Sequence, residues 1–154
     1  MKIKLVIDFL AEESYELIKY LMEYQKNNEI DLELHGYDLN EKNEINKAYY
    51  GLYFASKYGV ALAYVNEILK AKFEDMQDIG SLDVLANAYE RIGFDRNDFI
   101  DAIMDGDYVE MFQYRQASLK KEETQNECFA YIYDTDKKIV IGKDDIIKEI
   151  ENNK

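Results

Sequence analysis

Apolar residues along the chain follow two different periods, and the order of those periods predicts an α/β fold. Lys2–Leu10 is a nearly continuous apolar run, which is typical of a central strand covered on both faces. Glu12–Lys26 places its apolar residues on one helical face, and Ile30–Tyr37 alternates apolar with polar residues as a half-buried strand does. A strand, a helix and a strand joined so closely predict a parallel pair with a right-handed crossover.

The middle of the chain changes to helical periodicity and the last part returns to strands. Glu41–Phe73 is helical, and Gly59 is predicted to divide it into two helices. Three more helices are predicted from their capping residues: Ser81 to Arg91, Asp95 to Met104, and Asp107 to about Lys120. The chain then predicts two strands and a helix: Cys128–Tyr133, Lys138–Ile141 and Asp144–Glu151.

These elements predict one domain made of two interrupted parts. Residues 1–40 and 124–154 would form an α/β core, and residues 41–123 would be a helical insertion into it. Neither flank could build a closed core alone, which argues against two independent domains. The chain has 154 residues, enough for one domain with a sizeable core.

Charge and cysteine content narrow the classes of function. The formal net charge is −13, which disfavours nucleic acid and anionic membranes because both are bound through Lys and Arg. No apolar run approaches the roughly 18 to 20 residues of a membrane span. Met1 leads directly into a strand, so no signal peptide is expected. Cys128 is the single cysteine, so no intramolecular disulfide can form. We therefore expect a cytoplasmic location.

The corner between the first strand and the first helix is the natural place for chemistry, because free N–H groups and the helix dipole meet there. Its residues are Ala11-Glu12-Glu13-Ser14. Glu12 and Glu13 complement the dipole but point about 100° apart, so they do not converge with Asp8 on a metal ion. Ser14 would need a base such as Glu12, Glu13 or His35 to act as a nucleophile. A serine that hydrogen-bonds the backbone is the more ordinary interpretation.

Three other features have both an ordinary and a functional interpretation. His35 is the only histidine and lies on the predicted polar face, so a surface or interface position is expected rather than a metal site. Cys128 is either a reactive thiol or a small buried residue. The helical insertion is rich in tyrosines, which could line a ligand cleft or a homodimer face, although packing is their more frequent role: Tyr49, Tyr50, Tyr53, Tyr58 and Tyr64.

The order of elements and several short motifs resemble the DsbA-like branch of the thioredoxin fold. Asp8–Tyr15 matches the family's Asp-Phe-x-Cys-Pro-x-Cys-Tyr run, and Gly36–Asn40 matches its Pro-Phe-x-Leu-Asn segment. Asp78–Ala86 and Gly93–Phe99 match two later motifs. The bacterial subgroup with 2-hydroxychromene-2-carboxylate isomerases, kappa-class glutathione transferases and their dithiol relatives is most similar. The resemblance spans nearly the whole chain and implies a thioredoxin-like fold with an inserted helical subdomain.

The chain departs from this family at its reactive positions. Ala11 and Ser14 replace the two cysteines, and Glu12 replaces the proline between them. Glu127 occupies the cis-proline position, and its peptide bond is predicted to be trans because a non-proline cis bond costs about 3 kcal/mol. The resemblance places Cys128 beside the corner. Ala11, Glu12, Glu13, Ser14, Glu127 and Cys128 would then form a vestigial site.

Two functions follow from the resemblance. The first function is that of a bacterial DsbA-like protein without thiol-disulfide exchange activity, because exchange requires two thiols. It would use no cofactor and bind an unidentified protein or small ligand between the corner and the helical insertion. The alternative is an isomerase or glutathione-transferase-type enzyme with a rearranged site. That enzyme would use Ser14 or Cys128, with glutathione as the candidate cofactor.

Overall fold

The computed structural model describes residues 1–38, 43–120, 128–133 and 136–153, with the side chain of Phe129 excepted. In chain order the elements are β1 (Lys2–Ile7), α1 (Glu12–Tyr24), β2 (Asp31–Gly36), α2 (Asn46–Lys57), α3 (Ala61–Phe73), α4 (Leu82–Arg91), α5 (Arg96–Met104), α6 (Val109–Lys120), β3 (Phe129–Tyr133), β4 (Lys137–Ile141) and α7 (Lys143–Asn152). The predicted order of strands and helices is confirmed.

The four strands form one mixed sheet in the order β2-β1-β3-β4. β1 pairs in parallel with β2, as the close strand-helix-strand opening predicts, and antiparallel with β3. β3 and β4 form an antiparallel hairpin. β1 is therefore a central strand. Its residues contribute to apolar clusters on both faces, with Leu5 in the main core and Val6 packed with Leu119 and Tyr131 in a smaller cluster.

Several helix boundaries follow the predicted capping residues, but α6 begins at Val109 rather than with a cap at Asp107, and Ser81 does not cap α4. Gly59 separates α2 from α3 and has φ +72°, a conformation that L side chains rarely adopt. Asp95 caps α5, because its carboxylate accepts hydrogen bonds from the N–H groups of Asn97 and Asp98. Ser81 stands at the N-cap of α4, but its side chain makes no capping hydrogen bond. That helix start depends on packing rather than on the serine.

Close approach of α2 to the sheet depends on a glycine at the end of β2. A Cβ atom on Gly36 would lie 2.0 Å from Cδ1 of Tyr49, which is far inside van der Waals contact. The absence of a side chain at Gly36 lets the fully buried Tyr49 ring lie against the strand end. This contact brings α2 to the corner between β1 and α1.

In the part of the chain that the structure describes, no helix is both long enough and apolar enough to cross a membrane.

Candidate functional site at the corner between β1 and α1

The corner is a tight turn that holds its own backbone. Asp8 follows β1, and its Oδ1 accepts a hydrogen bond of 2.8 Å from the N–H of Leu10. The carbonyl of Asp8 accepts from the N–H of Ala11 at 3.1 Å, and the carbonyl of Ala11 accepts from the N–H of Ser14 at 3.0 Å. Ala11 occupies the N-cap of α1 without a side-chain cap. Asp8 therefore closes the turn before the helix, and no side-chain cap is present at the N-cap of α1.

Ser14 is fully buried and directed back toward the strand. Its exposed fraction is 0%, and its Oγ accepts a hydrogen bond of 3.2 Å from the N–H of Asp8. A hydroxyl in this position satisfies a buried backbone donor. The geometry favours the ordinary interpretation of Ser14 over the nucleophilic one. Neither Glu12, which is exposed, nor Glu13 makes a hydrogen bond to Ser14 in the described structure.

Behind the corner, the hydroxyl of Tyr49 joins β1, β2 and α2. The N–H of Phe9 donates to the Tyr49 oxygen, while Oδ1 of Asp8 and the carbonyl of Tyr37 both lie 3.3 Å from it as acceptors. A phenol has one proton, so it donates to one of these two acceptors at a time. Burial and the negative charge of Asp8 raise the pKa of Tyr49 well above its usual value. The neutral hydroxyl is the form that can donate in this network.

A second buried carboxylate, Asp38, lies just beyond β2. The side chain of Gln116 clamps its backbone, accepting from the Asp38 N–H at 3.0 Å and donating to the Asp38 carbonyl at 2.8 Å. Oδ2 accepts from the N–H of Asn43 at 3.0 Å, and Oδ1 has no hydrogen-bond partner among the described residues. The negative charge of Asp38 also contributes to the raised pKa of Tyr49.

Sequence reasoning missed Asp38 and Gln116, and it treated Tyr49 only as one of several tyrosines. The position of Asp38 directly after a parallel strand was an available signal, because ligands in open α/β sheets bind at the carboxyl ends of strands. Gln116 carried no such signal, since it reaches Asp38 across 78 residues of sequence. Among the other insertion tyrosines, Tyr53 and Tyr64 are buried, whereas Tyr58 is half exposed.

The two glutamates of the corner have different surroundings. Glu12 is exposed, whereas Glu13 reaches away from the corner and its Oε1 accepts a hydrogen bond from the backbone N–H of Lys143. Lys143 is the first residue of α7, and its ammonium group pairs with Glu16. Glu13 therefore satisfies a free N–H at the start of α7 in addition to its place in the first turn of α1.

Cys128 is a buried thiol and, as the single cysteine, forms no intramolecular disulfide. Its exposed fraction is 3%, and its carbonyl accepts a hydrogen bond of 2.9 Å from the N–H of Gly142. The antiparallel register pairs Val6 with Phe129, so its continuation sets Cys128 beside Ile7, at the strand end that leads into the corner. Glu127 and its peptide bond lie outside the described residues. The prediction of a trans bond there stays a prediction.

The predicted surface position of His35 is wrong. His35 has an exposed fraction of 3% because α2 covers this part of β2, and the ring of Tyr53 lies 6.2 Å from the imidazole. Its Nε2 is 2.6 Å from Oε1 of Glu33. Burial lowers the pKa of His35 to about 4, with Lys4 and Arg115 acting in the same direction and Glu33 opposing them. The histidine is therefore neutral at pH 7 and donates to Glu33.

Comparison with known proteins identifies the family. The family model of the DSBA-like thioredoxin domain matches residues 3–125, and the chain belongs to this family. No curated protein matches the sequence significantly. This chain has a single cysteine and therefore lacks the paired cysteines of dithiol relatives.

Solved structures share the fold at low sequence identity. A 2-hydroxychromene-2-carboxylate isomerase is 14% identical with a TM-score of 0.83, over 99% of this chain and 94% of that chain. The thiol-disulfide exchange protein alpha-DsbA2 of Wolbachia pipientis is 14% identical with a TM-score of 0.72, over 99% and 81%. DsbA of Pseudomonas aeruginosa is 10% identical with a TM-score of 0.68, over 97% and 81%. The thioredoxin-like fold expected from the sequence is confirmed.

Proposed function

We propose that this protein has no thiol-disulfide oxidoreductase activity and acts by binding a partner protein or a small ligand at the corner. The observation that supports this proposal is the absence of a reactive, accessible side chain at positions 11 and 14 of the corner. Ala11 has no reactive group, and the Ser14 hydroxyl is buried and bonded to the Asp8 backbone. Exchange requires a thiolate that attacks a disulfide and a second thiol that resolves the mixed disulfide. Ala11 and Ser14 supply neither thiol, and Cys128 alone has no second thiol to resolve a mixed disulfide.

The side chains that a partner can contact at the corner carry no reactive thiol, unlike the cysteines of the dithiol relatives. Leu10, Ala11 and Glu13 are partly exposed and Glu12 is exposed, so the corner offers a short apolar and acidic surface. Its inner side is closed by α2, since Phe9 and Tyr49 lie with ring centroids 4.9 Å apart. Binding would use the outer side of the corner, between α1 and the helical insertion.

The alternative enzyme would need Ser14 or Cys128 to reach a substrate. Both side chains are almost completely buried, which supports the binding function over an isomerase or glutathione transferase with a rearranged site. No cofactor is needed for the proposed function. A cytoplasmic location and bacterial origin remain part of the proposal.

Restoring the cysteines provides the sharpest test. Wild-type protein should give no insulin reduction above the dithiothreitol background. The Ala11→Cys/Ser14→Cys double variant should form a reducible disulfide and show measurable turnover, because the fold and the helix N-terminus that lowers a thiol pKa are retained. Ala11→Cys in a Cys128→Ala background is the matched control and should not turn over, since no second thiol is present to resolve a mixed disulfide.

Wild-type turnover that survives Cys128→Ala would contradict the proposal. A thermal shift with reduced glutathione that disappears in Ser14→Ala would instead favour the transferase alternative. Binding at the corner is tested separately with Glu12→Lys, which reverses an exposed charge. Because Glu12 also complements the dipole of α1, thermal unfolding must show that the variant stays folded. Partners captured by wild-type protein but lost in Glu12→Lys would support the corner as the binding surface.

A further inference from the structure

One face of the sheet is covered only in part. Alternate residues along a strand share a face, so the registers of the three strand pairs divide this face into rows that cross the sheet. In the row nearest the corner, Val6 and the partly buried Ile141 pack with Leu119 of α6. Two further rows lie toward the start of β1. The first contains Asp31, Lys2, Tyr133 and Lys137, and the second contains Glu33, Lys4, Tyr131 and Ile139.

Exposed apolar side chains and lysines occur together on these two rows, which we call the open sheet face. The exposed fractions are 37% for Tyr133 and 51% for Ile139. Nζ of Lys137 lies 4.3 Å from the centroid of the Tyr131 ring, and Nζ of Lys4 lies 5.8 Å from it, so both ammonium groups lie on this face. Exposed apolar side chains rimmed by charged ones are typical of a protein–protein contact surface.

The charges at the two edges of the open sheet face have opposite signs. β2 contributes the carboxylates of Asp31 and Glu33, whereas β4 contributes the ammonium group of Lys137. Glu33 lies 2.6 Å from His35 and 3.6 Å from Lys2, so its charge is partly compensated. Within the described ranges, neither Asp31 nor Lys137 has an ion-pair partner. A surface with one acidic and one basic edge can be complementary to a second copy of itself.

A two-fold axis parallel to the strands, passing between β1 and β3, produces this complementarity. Because the strand order is β2-β1-β3-β4, the axis sets β2 of one copy opposite β4 of the other, and β1 opposite β3. Each row stays at its own height, so Asp31 faces Lys137 of the second copy and Lys2 faces the Tyr133 ring of the second copy. Both contacts occur twice, as in any isologous interface. Two sheets packed face to face about 10 Å apart keep this arrangement.

Partners of a single charge sign fit the open sheet face less well than a second copy does. A uniformly acidic partner would attract Lys137 but repel Asp31 and Glu33 at the other edge. A uniformly basic partner would do the reverse. A second copy satisfies both edges at once and covers the exposed rings and side chains between them.

We propose that the open sheet face is the interface of a weak homodimer of this chain. Two rows across four strands measure about 20 Å by 14 Å. This is smaller than the roughly 800 Å² per partner of a standard interface, so we expect a dissociation constant of about 0.1 mM. The face lies at the opposite end of β1 from the corner, and the dimer does not depend on the function proposed there.

Exchanging charges between the two edges tests this interface in the full chain. At a salt concentration where the Debye length is about 8 Å, sedimentation equilibrium of wild-type protein should show monomer–dimer association between about 10 µM and 1 mM. Lys137→Glu and Asp31→Lys should each weaken association at least about tenfold, because each attractive pair becomes a repulsive one and occurs twice. An equimolar mixture of the two variants should associate as the wild type does, because opposite charges then meet at both contacts.

Lys148→Glu and Glu90→Lys are the matched controls, since they make the same changes in net charge elsewhere on the surface. Lys148 is exposed on α7, whose Ile146 and Ile150 pack in the main core on the other face of the sheet, and Glu90 is exposed on α4. Both variants should associate as the wild type does. Thermal unfolding should show that all four variants are folded.

Wild-type protein that stays monomeric at about 1 mM would overturn the proposal. So would a mixture of Lys137→Glu and Asp31→Lys that fails to associate, or equal weakening by the control variants. Weakening by Lys137→Glu without any effect of Asp31→Lys would also overturn it, because it would indicate pairing between two β4 edges without β2. If charge reversal unfolds the chain, Asp31→Asn and Lys137→Gln should each weaken association about threefold, and unchanged association in both would contradict the proposed contacts.

Discussion

The buried histidine makes a quantitative prediction about stability and pH. His35 has a pKa of about 4 in the folded protein, whereas its usual value is 6.5. Burial is the main cause, and the positive charges of Lys4 and Arg115 add to it. The unfolded chain therefore binds a proton at His35 between these two pH values, whereas the folded chain does not. Protonation of the unfolded state lowers the free energy of unfolding as the pH falls.

The size of this effect follows from the difference in pKa. One pKa unit corresponds to about 1.4 kcal/mol, so His35 contributes about 3 kcal/mol that is present above pH ~6.5 and lost by pH ~4. Below pH ~4 both states are protonated and no further loss arises from this residue. Glu33 moderates the effect, since its carboxylate lies 2.6 Å from the imidazole and favours the charged form.

Urea unfolding at a series of pH values between 7 and 4 measures this contribution. Acidic residues also change protonation in this range, so wild-type protein must be compared with His35→Gln, which has no titrating group at this position. The difference in unfolding free energy between the two proteins should fall by about 3 kcal/mol across the interval. Parallel pH profiles for wild type and His35→Gln would refute the reasoning.

Two substitutions, with Ser81→Ala as a control, and one chemical modification test contacts at and near the corner. Gly36→Ala should lower the free energy of unfolding in urea by about 3 kcal/mol, because the added Cβ would lie 2.0 Å from Cδ1 of Tyr49. An unchanged free energy of unfolding would contradict the close approach of α2 to β2. Ser14→Ala should cost about 1 to 2 kcal/mol by leaving the Asp8 N–H without a partner, whereas Ser81→Ala, which removes no cap bond, should cost less than about 0.5 kcal/mol. Cys128, with 3% exposure, should resist alkylation in the native state and react fully in denaturant, and rapid native labelling would instead support the enzyme alternative.

Local signals in the sequence were sufficient for most elements of the fold. The left-handed Gly59 and the capping Asp95 act within their own segments, so a reader of the sequence could locate both helix boundaries. The parallel pairing of β1 and β2 likewise followed from the short connection between them. These features depend on residues a few positions apart.

Features that depend on distant contacts were not accessible in this way. The alternation along β2 correctly separates two faces, but it does not reveal that α2 later covers the face of His35. The Asp38–Gln116 clamp joins residues that are 78 positions apart in the sequence. A polar side chain in a strand is exposed only if nothing packs over it. Tertiary packing decided each of these cases.

The hydrogen bond from the Lys143 backbone to Glu13 has a consequence for the order of folding. The two residues are separated by 130 positions, so the contact forms only after both ends of the chain have reached the same side of the sheet. An interaction made this late should contribute little to the rate of folding and mainly slow unfolding. Glu13→Ala, which removes the acceptor, is therefore expected to accelerate unfolding in stopped-flow measurements while leaving the refolding limb nearly unchanged. The contact between α1 and α7 would then lower the rate at which the sheet opens during unfolding.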